Sequence, residues 1–154
     1  MRKLFFVLSL VSCCGALQAQ TAVDSVKGTV EKLFLAMKRS DAVLLKECFT
    51  DSAIMQTIAR DKTGGAVVKT QPLAAFAAFI ATLPKGSADE RISFDMVKQE
   101  GALASVWTPY QFYMNGQFSH CGINSFQLVR TANGWKIQYI VDTRVKQGCA
   151  EVKQ

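Results

Sequence analysis

The sequence predicts an α+β domain in which N-terminal helices pack on one face of a curved antiparallel sheet. Three observations carry this prediction. Apolar residues recur at helical spacing from Val26 to Met37 and again from Leu73 to Leu83. Beyond residue 90 the pattern changes to alternation, with Ile92, Phe94 and Met96 set against Arg91, Ser93 and Asp95. Two turn signals, Asn115-Gly116 and Ala132-Asn133-Gly134, then divide the aromatic-rich remainder into long strands joined as a meander.

Taken in order, Val26, Val30, Leu33, Phe34 and Met37 form one face of a first helix, and Lys27, Glu31, Lys32 and Lys38 form the other. Ser40 and Asp41 supply capping oxygens for a short second helix, Ala42 to Cys48. Ala53 to Ile58 and Ala66 to Lys69 have strand character and flank a loop containing Gly64-Gly65, so a hairpin is expected. Proline at position 72 opens a third helix, since a proline in the first turn sacrifices no intrahelical hydrogen bond. Four strands follow: Arg91 to about Lys98, Ala102 to Met114, Gln117 to Arg130, and Trp135 to Val145. Pro109 cannot donate to a ladder, so irregular pairing is expected beside it.

Residues 1–20 differ from the rest. Arg2 and Lys3 precede an apolar run from Leu4 to Val11 and a small-residue exit, which is the pattern of a secretory signal peptide. The run is far shorter than the roughly 20 residues of a membrane-spanning helix, and no later stretch approaches that length. Leu17-Gln18-Ala19 before Gln20 fits ordinary cleavage, and residues 21–154 then form a single domain. The alternative is a lipobox, Leu10-Val11-Ser12-Cys13, which would leave a lipoprotein anchored through Cys13. A periplasmic or secreted location is expected. Removing Arg2 and Lys3, with no acid lost, lowers the net charge from +6 to +4. The lysines are scattered rather than clustered, so nucleic-acid binding is not expected. Of the cysteines that remain, Cys48, Cys121 and Cys149, either Cys121 pairs with Cys149 in an oxidising compartment or all three are small core residues.

The order of elements, together with NGQFSHCGINSFQLVR (115–130), NGWKI (133–137) and IVDTR (140–144), resembles the nuclear transport factor 2-like superfamily. More narrowly it is similar to the secreted bacterial branch described as polyketide-cyclase-like or lumazine-binding. The resemblance spans about Val23 to Val145. It implies a cone-shaped cavity between sheet and helices, and dimers formed through the sheet. It also implies a range of activities: isomerases, dehydratases, epoxide hydrolases, cyclases and simple binders. Fold alone therefore does not select a chemistry.

Register arithmetic supplies candidates. With two-residue turns at both signals, Gln111 faces His120, Trp107 faces Asn124, Phe126 faces Tyr139 and Asn124 faces Val141. One surface then carries Trp107, Gln111, Tyr113, His120, Asn124 and Tyr139 as the expected ligand pocket, with Phe118, Phe126, Leu128, Trp135, Ile137, Val141 and Thr143 beside them. Tyr110, Phe112, Ile123 and Ile140 fall on the other surface, where they suggest a homodimer interface. A one-residue bulge would exchange these assignments. His120 is the sharpest candidate for acid–base chemistry. Asp142 faces away from it in the simple register, but a bulged last strand would bring it to His120.

A metal site is not expected from one histidine without paired cysteines or a carboxylate motif, and no cofactor motif is present. The leading expectation is a secreted domain binding a small, partly apolar molecule. One alternative is a cofactor-free dehydratase, isomerase or cyclase using His120 with Asp142. Another is a dimeric envelope interaction module.

Overall fold

The computed structural model describes residues 14–152. Three helices, α1 (Cys14–Arg39), α2 (Ala42–Glu47) and α3 (Leu73–Thr82), lie against seven strands: β1 (Phe49–Arg60), β2 (Ala66–Thr70), β3 (Ala88–Ile92), β4 (Met96–Glu100), β5 (Leu103–Met114), β6 (Gln117–Thr131) and β7 (Gly134–Thr143). The basic start, the apolar run and Cys13 of the expected leader lie outside the described residues, and the expected cleavage point falls within α1. Among the described residues, no helix is long and apolar enough to cross a membrane.

The predicted helical face of α1 is the buried one: Val26, Val30, Leu33, Phe34 and Met37 all enter the core. The helix ends where Ser40 adopts φ 56°, and Asp41 then caps α2, its Oδ1 accepting from the backbone N–H groups of Val43 and Leu44 at 3.1 and 2.9 Å. Asn115 and Gly116 both have positive φ, as the turn between β5 and β6 requires.

The sheet order is β2-β1-β7-β6-β5-β3, with β4 also paired to β5. All pairs are antiparallel except β1 with β7, so the sheet is mixed. The predicted strand from Arg91 to Lys98 is divided into β3 and β4, both of which pair with β5. Pro109 explains the interruption. Its carbonyl accepts from Ser93 N–H at 3.1 Å, so the side of the strand on which it lacks a donor is the side where β3 gives way to β4. On its other side Pro109 stays in register with Ile123.

Two bulges decide which side chains face the helices. On β6 the pairing runs Tyr113↔Phe118 and then Phe112↔His120, which leaves Ser119 as an extra residue. On β7 it runs Leu128↔Ile137 and then Gln127↔Tyr139, which leaves Gln138 extra. The burial pattern shows the same slip, since Trp135 and Ile137 are buried and the phase then shifts to Ile140 and Asp142. The inner face therefore carries Val106, Thr108, Tyr110 and Phe112 from β5, His120, Asn124, Phe126 and Leu128 from β6, and Ile140 and Asp142 from β7.

This corrects the simple register on both flanks. Trp107, Gln111, Tyr113, Phe118, Tyr139, Val141 and Thr143 lie on the opposite face, and Tyr110, Phe112 and Ile140 lie inside rather than at an outer interface. The physical reason is the one-residue slip, which turns every later side chain of a strand over.

Cys121 and Cys149 form a disulfide. It holds the chain after β7 against β6, where Cys121 and Val145 also exchange both backbone hydrogen bonds, at 2.9 and 2.8 Å. Cys48 is a buried free thiol whose pKa burial pushes up to about 11, so it is an unreactive core residue.

Candidate functional site

Helices and sheet enclose a cavity of about 250 Å³. The helical wall is entirely apolar: Leu33, Phe34 and Met37 from α1, and Phe76, Phe79 and Ile80 from α3. Across from it, Met55, Phe112, Met114 and Ile140 continue the apolar surface on the sheet. Polar groups gather at one end, where β1, β3, β5, β6 and β7 contribute Thr57, Glu90, Tyr110, His120, Asn124 and Asp142, and Arg144 follows β7 directly. An apolar chamber with a few convergent polar groups is the usual form of a small-molecule site.

Asp142 is brought into this end by the Gln138 bulge, and both its oxygens are occupied. Thr57 donates to Oδ1, while Oδ2 accepts from the Tyr110 hydroxyl at 3.1 Å and from Arg144 Nε at 2.8 Å. Arg144 Nη2 also donates to Thr57 Oγ1 at 3.1 Å, which closes the network. The Tyr110 hydroxyl lies 2.8 Å from the carbonyl oxygen of Thr143 as well. Burial raises the Tyr110 pKa, and the neighbouring Asp142 and Glu90 carboxylates raise it further, so this hydroxyl keeps its proton.

Gly122 makes that arrangement possible. A Cβ at this position would lie 1.8 Å from the Thr143 carbonyl oxygen and 3.0 Å from the Tyr110 ring. Without a side chain here, Tyr110 crosses its β6 partner and reaches β7.

His120 has its ring edge-on to Tyr110, with centroids 5.7 Å apart, and 5.1 Å from Phe112. Its Nδ1 is 3.0 Å from Ser119 Oγ, on the bulged residue. Burial lowers its pKa, Arg144 and Lys146 lower it further, and Asp142 partly opposes them, so the imidazole is neutral at pH 7. The bulge brings Asp142 into the cavity with His120, but no hydrogen bond joins the two among the described residues.

Glu90 was not among the sequence candidates. Its Oε1 accepts from Asn124 Nδ2 at 2.9 Å, and it is the second carboxyl of the site. Burial pushes its pKa up to about 7; the Asn124 hydrogen bond opposes this, Asp142 adds to it and Arg144 opposes it. The signal was present in Ala88-Asp89-Glu90-Arg91-Ile92, because Glu90 shares a face with Ala88 and Ile92 at period two.

Of the expected pocket residues, His120 and Asn124 line the cavity with Asp142, and Trp107, Gln111, Tyr113 and Tyr139 do not. On the outer face, Tyr113 donates to Gln111 Oε1 at 3.1 Å and sits beneath the Arg91 guanidinium, 4.1 Å from the ring centroid. Tyr139 donates to Gln56 Oε1 at 2.7 Å, and Trp107 is 40% exposed.

No protein-family model matches the sequence, and no curated protein matches it. Solved structures do. An NTF2-like protein with a cystatin-like fold from Novosphingobium aromaticivorans is 16% identical with a TM-score of 0.66, covering 94% of each chain. An NTF2-like protein of unknown function from Shewanella baltica is 13% identical, TM-score 0.62, over 85% of this chain and 97% of its own. A candidate dehydratase of the NTF2-like family from Streptomyces avermitilis is 17% identical, TM-score 0.61, over 84% of this chain and 99% of its own. The chain therefore has the NTF2-like fold, an α+β cone of helices on a curved mixed sheet. At these identities the likeness speaks to fold alone.

Proposed function

We propose that this is a secreted, periplasmic domain that binds a small, partly apolar molecule in its cone. The observation that carries the reading is the chamber between helices and sheet, with an apolar helical wall and a polar end drawn from five strands. Secretion is supported by the leader pattern of residues 1–20 and by the Cys121–Cys149 disulfide, which suits an oxidising compartment. The test is native mass spectrometry of the chain purified from the periplasm. A bound small molecule that is lost on substituting Phe112→Asp, with the leader removed, is the expected result. A chain retained in the cytoplasm, or a molecule bound equally well by the Phe112→Asp variant, would count against it.

A second reading is favoured by the presence of His120, Glu90 and Asp142 around one cavity. Here the domain is a cofactor-free dehydratase, isomerase or cyclase, with His120 moving the proton and Asp142 acting through Tyr110 to position it. His120→Ala would then abolish turnover with the fold intact, whereas in a binder it would change only affinity. The outer face, with Leu103 51%, Trp107 40% and Phe118 43% exposed, supports self-association through the sheet. Sedimentation that gives a strict monomer at high concentration would rule this out.

A further inference from the structure

Most polar groups at the end of the cavity are already committed to one another. Asp142 has three donors on its two oxygens, the one Tyr110 O–H is shared between Asp142 and the Thr143 carbonyl, and Arg144 directs Nε and Nη2 at Asp142 and Thr57. Asp142 and Arg144 thus neutralise each other within the wall. Glu90 differs: Asn124 serves its Oε1, and its Oε2 has no hydrogen-bond partner among the described residues.

We propose that the cone takes a neutral molecule presenting a hydrogen-bond acceptor, such as a ketone or ester carbonyl, to the carboxyl of Glu90, with an aromatic or alicyclic body against the phenylalanines. This names the ligand class for the small-molecule-binding reading and rests on it. A partly buried carboxyl on the wall of a cavity whose helical side is apolar, with one hydrogen bond and no cation directly on it, is held in its protonated form. Its O–H then points at the occupant. An anion would meet two carboxyl groups against one guanidinium, and a cation would have to lose its own hydration and ionise Glu90 first.

The charged and titratable groups around Glu90 are Tyr110 from β5, His120 from β6, Asp142 from β7, and Arg144 just after it. The cavity residues of α1 and α3 are all apolar. His120 titrates below its ordinary range and Tyr110 above its own, so Glu90 is the cavity group that changes charge between about pH 7 and 8.5. An acceptor ligand that needs the O–H therefore weakens by about tenfold per pH unit in that window.

The test uses three probes of one shape, acetylnaphthalene, naphthylmethylamine and naphthoate, titrated calorimetrically into the purified chain from about pH 6 to about 8.5. The ketone should bind tightest at the acid end and lose affinity by about tenfold per unit above pH 7. Glu90→Gln, which retains a donor of the same shape, should bind the ketone with a flat profile across that window. The wild-type profile is decisive even if the variant misfolds. Tighter binding of the amine or of the naphthoate, or a wild-type ketone profile flat in pH, would overturn the ligand class and leave the cone as a binding site. Failure of all three probes at every pH would overturn the binding reading as well.

Discussion

Glu90 has an environment unlike the one its type suggests. An acidic side chain in a charged pentapeptide reads as solvated, yet the alternation with Ala88 and Ile92 places it inside. The consequence is measurable as stability. Its folded-state pKa of about 7 lies above the ordinary 4.5, so the native state keeps a proton that the unfolded chain releases first. The stabilisation is complete below about pH 4.5 and is lost as pH rises to about 7, amounting to about 3 kcal/mol at most. In urea unfolding, Glu90→Gln should therefore gain about 2–3 kcal/mol on the wild type between about pH 4.5 and 7.5. An unchanged difference would mean that Glu90 is well solvated. At Gly122, substitution by alanine would force the new methyl into the Thr143 carbonyl and the Tyr110 ring. A loss of about 3 kcal/mol or more, with the Tyr110–Asp142 bond broken, is expected from chemical denaturation and near-ultraviolet circular dichroism.

Among the elements, the three helices, the meander and its turns were legible because each rests on local rules: period, caps and positive φ. So was the central strand β6, whose His120, Asn124, Phe126 and Leu128 face inward as its alternation requires. Its neighbours were misread because a bulge leaves no compositional trace. Ser119 and Gln138 are ordinary strand residues in sequence, and only the competition of apolar neighbours for the helices decides that the chain slips there. Deleting Gln138 would remove the extra residue and leave Leu128 opposite Ile137, Gln127 opposite Tyr139 and Phe126 opposite Ile140, whereas deleting Val141 would turn Asp142 to the outer face and Thr143 inward. Thermal unfolding of the Gln138 deletion should keep one cooperative transition, whereas the Val141 deletion should show either no cooperative transition or a large drop in midpoint.

For the molecule as a whole, the open questions at the sequence level concerned connections between distant segments. The parallel pairing of β1 with β7 is one example, and no local pattern announces it. The disulfide is another: Cys121–Cys149 was one of two readings, and the structure forms it across a separation of 28 residues. It fastens the chain end beside His120 and Arg144, so it restrains the polar end of the cavity as well as the unfolded ensemble. Cys149→Ser should lower unfolding stability by about 2–4 kcal/mol in non-reducing denaturant, and excess dithiothreitol should bring the wild type to the same value.

The two slips also bear on comparison between proteins of this fold. A strand that carries two alternative sets of side chains, one per face, stores two possible chamber linings in one stretch of text, and whether one residue is paired or bulged out of the ladder chooses which is displayed. Were Ser119 paired with Phe112 rather than bulged, Gln111 would face His120 and share its surface with Trp107 and Tyr113; with Ser119 bulged out of the ladder, Tyr110 and Phe112 share that surface. Proteins that share this fold at 12–17% identity can therefore present different faces of equivalent strands to the chamber according to where the ladder bulges. Comparing sites across such proteins calls for aligning the bulges before the amino acids.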